Sequence, residues 1–177
     1  SPLSIDQIAQ FAGAVRQNGR GGQLVTNLST DSRTTQPGDL FVALRGENFD
    51  GHKFVEQAME RGAAGAIVET NSTSEPTPDF SLLRVADTLL AYQQIAAHYR
   101  RSLGIKVVAI TGSNGKTSTK DFTASVLAHR FRVAKTDGNF NNHVGLPRTM
   151  LEATARDEIG VWEIGMNHPG EIAALSK

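Results

Sequence analysis

The sequence predicts an α/β protein, in which a small N-terminal α/β domain precedes the first part of a second domain with a mostly parallel sheet. Short apolar runs rich in β-branched residues alternate with segments of helical periodicity along most of the chain. Clusters of Gly, Pro, Asn and Asp separate these segments, and one glycine-rich turn joins a strand to a helix. Strands and helices in this alternation are typical of a parallel sheet covered on both faces.

Caps, turns and spacing predict the elements of the first half in order. Ser4 and Gln7 have the spacing of a capping box, so they open a short helix that ends at Gly13. The apolar runs at 24–28 and 40–44 predict two short buried strands. The remaining elements of this half are a helix at 54–59 and strands at 66–68 and 82–85.

A domain boundary is predicted just after the last of these strands. A surface loop rich in turn-forming residues occupies 71–79 and marks a region near the domain edge. Asp87 can then cap a helix that continues through Arg101. The predicted domains are residues 1–84 and 85–177.

Charge and composition exclude several classes of protein. Eighteen Lys and Arg balance eighteen Asp and Glu, so no net positive field attracts nucleic acid. Hydrophobic residues make up 39% of the chain, and no apolar run approaches the ~20 residues that cross a bilayer. The absence of cysteine excludes disulfides and a thiolate nucleophile. We therefore expect a soluble, cytoplasmic protein without membrane insertion.

The glycine-rich turn carries the clearest chemical motif of the chain. It lies between an apolar strand at 106–110 and a helix at 116–129. The turn reads Thr111-Gly112-Ser113-Asn114-Gly115-Lys116-Thr117-Ser118. Backbone N–H groups in such a turn point toward a phosphate, Lys116 would bridge the β- and γ-phosphates, and the Thr117 hydroxyl would reach their magnesium ion. We expect ATP and Mg²⁺ as cofactors.

The spacing of this motif departs from the general P-loop pattern. That pattern has a glycine five residues before Gly115, where this chain has Ile110. An isolated match of this kind can be a glycine-containing helix start. The strand before the turn and the helix after it favour phosphate binding.

Two later segments place polar groups at the predicted edge of the sheet. Asn141 and Asn142 follow a strand at 131–134 and offer uncharged donors and acceptors to a polar substrate, although Asn also favours turns. Glu163 stands in an apolar strand at 160–164, where a buried carboxylate needs a hydrogen-bond partner or a cation. The alternative for Glu163 is a solvent-facing position at the strand end.

These motifs together resemble the Mur ligase family, and they run in order across nearly the whole chain. The matching segments are Thr30–Arg33, Pro37–Leu44, Gly46 with Asp50–His52, Thr111–Thr117, Gly138–Asn142, and Glu163–Gly165 with Pro169–Ile172. The short glycine spacing that departs from the general P-loop pattern is the spacing that this family uses. The resemblance therefore covers both predicted domains.

The resemblance implies a UDP-substrate-binding N-terminal domain, a central P-loop-type ATPase domain, and a further amine-binding domain. It implies an ATP-dependent amide ligase of peptidoglycan precursor synthesis, and with it a role in cell-wall biogenesis, cell shape and cell division. In the expected reaction, ATP phosphorylates the terminal carboxylate of UDP-N-acetylmuramoyl-tripeptide. The amine of D-alanyl-D-alanine then attacks the acyl phosphate, and phosphate leaves.

Positions that match the family motifs take on its roles by this resemblance. The catalytic candidates are Lys116, Asn141 and Asn142. Thr117 and Glu163 are the magnesium candidates, and the segment 111–118 is the nucleotide-binding candidate. The candidates for the UDP end of the substrate are Ser32, Arg33, Gly46, Glu47 and Asn48.

Family members are considerably longer than this chain, so the resemblance implies an N-terminal fragment that does not catalyse ligation alone. We expect the full-length enzyme to be monomeric, and self-association of the fragment through an unpaired sheet edge is a further hypothesis. Three alternatives stay open: a Mur-type ligase that adds a different amino acid, a folate-extending ligase, and a non-catalytic P-loop module. The segment 31–33 counts against the folate ligase, because folate ligases lack the domain that carries it.

Overall fold

The computed structural model describes residues 2–46, 49–75, 77–138 and 140–165. The chain divides into two compact units, residues 1–95 and 96–177. Helix α3 (Thr88–Leu103) runs from the first unit into the second, and the Asp87 carboxylate accepts a hydrogen bond from Leu90 N at 2.9 Å, as its capping role predicts. That residues 1–84 bind the UDP-substrate and residues 85–177 bind ATP stays a prediction.

Over its described residues, the first unit holds two sheets and two complete helices. Its elements are β1 (Leu3–Ser4), α1 (Ile5–Ala12), β2 (Val15–Gln17), β3 (Leu24–Val25), β4 (Leu28–Ser29), β5 (Leu40–Val42), a 3₁₀ turn (Gly51–Phe54), α2 (Val55–Glu60), β6 (Gly65–Glu69) and β7 (Ser81–Val85). The larger sheet has the order β2-β7-β6-β5-β4, and only β2 is antiparallel to its neighbour. The prediction of an N-terminal α/β domain is confirmed here.

Local signals account for some elements of this unit and miss others. The capping box is present, since Ser4 Oγ accepts from Gln7 N at 3.2 Å and Gln7 Oε1 accepts from Ser4 N at 2.9 Å. The single strand predicted at 24–28 is wrong. The backbone bends at Thr26, whose N–H bonds to Gly38 O, so β3 and β4 fall in different sheets. Strand β2 went unpredicted because all three of its residues are exposed and show no buried face.

The core of the first unit lies between α2 and the central strands. Strands β5, β6 and β7 are buried along almost their whole length, as expected for parallel strands covered on both faces. The apolar cluster beneath α2 includes Phe41, Ala58, Ala66, Val68 and Leu82. The polar loops lie outside this apolar packing, at the carboxyl ends of the strands.

The second unit is built on a three-stranded parallel sheet. After α3, its elements are β8 (Lys106–Ile110), α4 (Lys116–Ala128), β9 (Val133–Lys135), α5 (Gly145–Glu152) and β10 (Ile159–Glu163). The strand order is β8-β10-β9, so β10, the last of the described strands, is central. Its register pairs Glu163 with Ile110, which is the final residue before the glycine-rich turn.

Alternating residues of β10 reach helices on both faces of the sheet. Val161 packs with Ala124 of α4 in one cluster, whereas Trp162 packs with Leu146 of α5 in another. This period of two confirms the prediction of a sheet covered on both faces within this unit. Strand β9 begins two residues later than predicted, because the Phe131 N–H bonds back to Leu127 O at the end of α4 at 3.0 Å. The helix predicted after Gly165 lies outside the described residues.

Candidate functional site

The glycine-rich turn forms an exposed loop between β8 and α4. Residues 111–115 are exposed, and α4 begins at Lys116. Gly115 at the N-cap is left-handed, with φ of +74°, a conformation that glycine adopts without steric cost. Within the described part of the chain, no side chain caps the start of α4. The first N–H groups and the positive end of the helix dipole are therefore offered to an anion.

The Lys116 side chain folds back over this loop. Its Nζ donates a hydrogen bond to Gly112 O at 2.9 Å. The ammonium group is thereby held above the same backbone that would contact phosphate. Ser113, Asn114 and Ser118 are exposed on the loop and the first turn of α4.

The Glu163 carboxylate is the buried centre of the arrangement. Only 2% of the residue is exposed, so the alternative of a solvent-facing acid is wrong. Thr117 Oγ1 donates to Oε2 at 2.9 Å, and Asn141 Nδ2 donates to Oε1 at 2.6 Å. The structure thus brings together three of the predicted site residues, which come from α4, from the end of β10 and from the loop between β9 and α5.

The two adjacent asparagines have different surroundings. Asn141 is fastened to the end of β10, because its backbone O also accepts from Gly165 N at 2.7 Å. Asn142 Oδ1 accepts from the N–H groups of Val144 and Gly145, at 3.1 and 2.7 Å, and so holds the start of α5. The geometry at Glu163 therefore involves Asn141, and the role predicted for Asn142 stays a prediction.

The donor set at Glu163 fits a magnesium ion. Mg²⁺ prefers oxygen ligands and commonly takes only one or two carboxylates from the protein, with phosphate and water oxygens completing its shell. Thr117 and Glu163 offer a hydroxyl and a carboxylate beside the glycine-rich turn. Across the described residues, no group of three or more His, Cys, Asp or Glu side chains could hold a metal. The two side chains therefore fit an ion that takes its remaining ligands from phosphate and water.

Sequence reasoning missed Lys120 and Thr136. Lys120 is 1% exposed, and its Nζ donates to Thr136 O at 2.7 Å and to Gly138 O at 3.4 Å. Thr136 Oγ1 in turn accepts from the backbone N–H of Glu163 at 3.1 Å. A lysine on a helix is usually exposed, so residue type alone does not predict that Lys120 is buried. The available signal was its spacing of four residues from Lys116, which puts both on one face of α4.

The first unit holds the candidates for the UDP end of the substrate. Ser32 is buried, and its hydroxyl donates to Gln57 Oε1 of α2 at 2.6 Å. Arg33 is exposed and forms an ion pair with Asp31 at 2.7 Å. This hydrogen-bonded guanidinium lowers the pKa of the Asp31 carboxyl to about 2. Gly46 N bonds to Phe49 O at 2.8 Å, while Glu47 and Asn48 lie outside the described residues.

Topology brings the described residues that follow β4 and β5 to one edge of the sheet. Strands β4, β5 and β6 are parallel neighbours, so their carboxyl ends lie side by side. Arg45 after β5 pairs with Glu69 at the end of β6 at 3.2 Å and with Asp50 at 3.5 Å. His52 contacts Asp50 through Nδ1 at 2.7 Å and accepts from Glu69 N at 3.0 Å through Nε2. The hydrogen bonds from His52 lower the pKa of the Asp50 carboxyl.

The parallel sheet places Lys116, Thr117 and the buried Glu163 together at an uncapped helix start. This arrangement is typical of α/β proteins of the phosphate-loop class. Within that class, this chain belongs to the Mur ligase family. Residues 24–111 match the family's description "Mur ligase family, catalytic domain", and residues 110–177 match "Mur ligase middle domain". The two matches meet at the end of β8.

The chain is similar to UDP-N-acetylmuramoyl-tripeptide–D-alanyl-D-alanine ligases. The Bacillus subtilis ligase is 45% identical over 175 residues, which cover 98% of this chain and 38% of the relative. The Escherichia coli ligase is 44% identical over 146 residues, which cover 82% of this chain and 31% of the relative. This chain therefore spans little more than a third of the curated relatives that it matches.

Solved structures of MurF ligases share the fold. The Acinetobacter baumannii MurF crystal structure aligns with a TM-score of 0.91 at 37% identity and covers 100% of this chain and 38% of that one. Thermotoga maritima MurF in complex with ADP aligns with a TM-score of 0.77 at 34% identity, covering 84% of this chain and 34% of that one. In the part of the chain that the structure describes, every helix is too short or too polar to cross a bilayer.

Proposed function

We propose that this chain is the N-terminal part of a cytoplasmic, ATP-dependent ligase that joins D-alanyl-D-alanine to UDP-N-acetylmuramoyl-tripeptide. The observation that carries the proposal is the contact between Thr117 Oγ1 and Glu163 Oε2 at 2.9 Å, directly beside an uncapped helix start. The names of the relatives supply the substrates, and the ADP complex of one neighbour supports the nucleotide.

In this proposal, the second unit binds the nucleotide and its magnesium ion. Backbone N–H groups of 111–118 and the Lys116 ammonium bind the phosphates of ATP. Thr117 and Glu163 hold Mg²⁺, while Asn141 fixes the orientation of the Glu163 carboxylate. When bound, magnesium neutralises charge on the phosphate oxygens.

The residues around the loop act on a carboxylate that is a poor electrophile until it is phosphorylated. A carboxylate oxygen of the tripeptide attacks the γ-phosphorus, and the bond from that phosphorus to ADP breaks. Lys116 offsets the negative charge that accumulates on the transferred group. The amine then attacks the carbonyl carbon of the acyl phosphate, loses a proton and displaces inorganic phosphate.

The first unit is proposed to bind the UDP end of the precursor. Two observations support this role: the loops after β4 and β5 share one sheet edge, and Arg45 stands there between two carboxylates. The proposed contacts come from the same candidates as above, namely Ser32, Arg33, Gly46, Glu47 and Asn48. The Ser32 hydroxyl already donates to Gln57, so it would accept a hydrogen bond from the ligand or exchange partners.

The first experiment measures nucleotide binding to the 177-residue chain by titration calorimetry with ADP and Mg²⁺. Lys116→Ala should weaken binding roughly thirtyfold, because a hydrogen bond to a charged group contributes about 2 kcal/mol. Lys106→Ala is the matched control, since Lys106 is exposed at the opposite end of the strand that leads into the loop. Equal affinities for the wild type and Lys116→Ala would remove Lys116 from phosphate binding.

A second experiment separates this ligase from its alternatives. The full-length protein is assayed with UDP-N-acetylmuramoyl-tripeptide and, separately, with shorter UDP precursors and with a folate. Each acceptor is combined with D-alanyl-D-alanine or a single amino acid. Phosphate release only with the tripeptide and D-alanyl-D-alanine supports the proposal. Turnover with another pair would assign a different ligase, and nucleotide binding without any turnover would favour the non-catalytic module.

A further inference from the structure

Lys120 is a buried cation that the proposed chemistry does not use. The residue is 1% exposed and lies on α4, one turn after Lys116. Its Nζ donates to Thr136 O at 2.7 Å and to Gly138 O at 3.4 Å, and lies 3.5 Å from Asp121 Oδ1. A charge in such a place is costly unless hydrogen bonds compensate it. The backbone carbonyls after β9 supply that compensation.

Those carbonyls open the segment that carries Asn141. We call the described residues 136–138 and 140–142 the asparagine loop. Thr136 is fully buried and joined to β10 twice: its N–H donates to Val161 O at 3.1 Å, and its Oγ1 accepts from Glu163 N at 3.1 Å. The start of the loop is therefore hydrogen-bonded to Lys120 of α4 on one side and to the backbone of β10 on the other.

We propose that Lys120 is a positioning residue, whose ammonium group holds the asparagine loop so that Asn141 stays against the Glu163 carboxylate. The inference rests on the proposed function of Glu163 as a magnesium ligand. Lys120 acts through the backbone of Thr136 and Gly138 and touches neither nucleotide nor metal. It links helix α4, which follows the glycine-rich turn, to the segment that orients the Glu163 carboxylate.

The chemistry of lysine suits this task better than that of a neutral residue of similar size. An ammonium group has three donors and can serve two carbonyls and a carboxylate at once. Methionine would fill a similar volume but donate nothing, leaving the Thr136 and Gly138 carbonyls without this partner. The predicted consequence is a loosened loop, with Thr117 and the phosphate loop unchanged.

The test compares Lys120→Met with Lys135→Met in the 177-residue chain. Lys135 is 44% exposed on β9 and pairs with Asp121 at 2.9 Å. The control therefore removes another lysine beside Asp121 but keeps the hydrogen bonds from Lys120 to the asparagine loop. Hydrogen–deuterium exchange is followed, without ligand, for the amides of the asparagine loop, residues 136–138 and 140–142. Lys120→Met should speed exchange of these amides about tenfold. The same amides in Lys135→Met, and the amides of the five-stranded sheet in both variants, should keep wild-type protection.

A second readout separates positioning from phosphate binding. Mn²⁺ is titrated in the presence of saturating ADP and followed by electron paramagnetic resonance, and ADP affinity is measured in EDTA. Lys120→Met should weaken Mn²⁺ binding about tenfold and leave metal-free ADP affinity within about twofold. Lys120→Arg, which retains charge and donors, should recover part of the loss.

Unchanged exchange of the loop in Lys120→Met would overturn the inference. Equal losses of metal-free ADP affinity and of Mn²⁺ affinity would also overturn it, because they would indicate direct contact with phosphate. If Lys120→Met does not fold, Lys120→Gln is measured in the same way, and wild-type protection of its loop counts against the proposal. If the wild-type chain binds neither ADP nor Mn²⁺, the proposed function fails, but the exchange comparison still tests the hold of Lys120 on the loop.

Discussion

Asn141 Nδ2 donates to Glu163 Oε1 at 2.6 Å, and this contact joins the loop after β9 to the end of the central strand β10. The other carboxylate oxygen of Glu163 accepts from Thr117. Both oxygens of a buried acid are therefore oriented by protein donors before any ligand arrives. Groups held in this way need little reorganisation when a cation binds.

Asn141→Ala should remove the orientation of Glu163 and leave one oxygen of a buried carboxylate without its donor. We expect a loss of about 1 to 3 kcal/mol in the free energy of unfolding, together with weaker Mg²⁺-dependent binding of ADP. Thermal unfolding with and without Mg²⁺ and ADP measures both effects. Asn142→Ala is the control: loss of its hydrogen bonds at the start of α5 should cost about 1 kcal/mol without changing the metal dependence. The reverse pattern would contradict this division of roles.

Gly165→Ala should displace Asn141 from Glu163. A Cβ at Gly165 would lie 2.8 Å from Asn141 Oδ1, which is closer than carbon and oxygen atoms pack. We expect a destabilisation of about 1 to 3 kcal/mol from this overpacking, measured by urea denaturation. Gly22→Ala has open space around its new methyl group and serves as control. Similar midpoints for the two variants would mean that Asn141 shifts at no cost.

Asp31 should stay ionised to unusually low pH. The hydrogen bond from Arg33 lowers the pKa of Asp31 from 3.8 to about 2. Because the folded value lies below the unfolded one, the stabilising effect is complete above about pH 4 and is lost as the pH falls through about 2. The pair is exposed, so its share of the unfolding free energy is small.

Carbon-13 NMR of the Asp31 carboxyl during an acid titration measures this value directly. Arg33→Gln should return the midpoint toward 3.8, since the largest cause of the shift is removed. Arg61→Gln should change it little, because Arg61 is the weakest of the contributing charges. A midpoint near 3.8 in the wild type would show that the ion pair does not persist in solution.

The outer strand β8 gives the self-association hypothesis a specific surface. Among the described strands, β8 pairs only with β10, and Val107 on it is 42% exposed. We expect the 177-residue chain to associate at high concentration through this edge, and Val107→Glu to reduce the association. Light scattering after size-exclusion chromatography measures the mass. Leu90→Glu, at another exposed apolar residue, is the control, and a monomer at every concentration would refute the hypothesis.

Local sequence signals predicted the parts of the site whose groups are neighbours in the chain. The strand, the loop at 111–115 and α4 follow each other directly, so glycine spacing and apolar periodicity suffice to predict them. The capping box at Ser4 and Gln7 is confirmed for the same reason. The failures at β2 and at 24–28 arise where exposure or a backbone bend overrides the local pattern.

By itself, the sequence determined the alternation of strands and helices, the glycine-rich turn between a strand and a helix, and the membership of its motifs in one family. Tertiary structure alone decided that β10 is the central strand, that Asn141 and not Asn142 reaches Glu163, and that Lys120 is buried. The physical reason is distance along the chain. Thr117 and Glu163 are 46 residues apart, and a contact over that separation depends on strand order and helix packing, which short-range spacing does not encode.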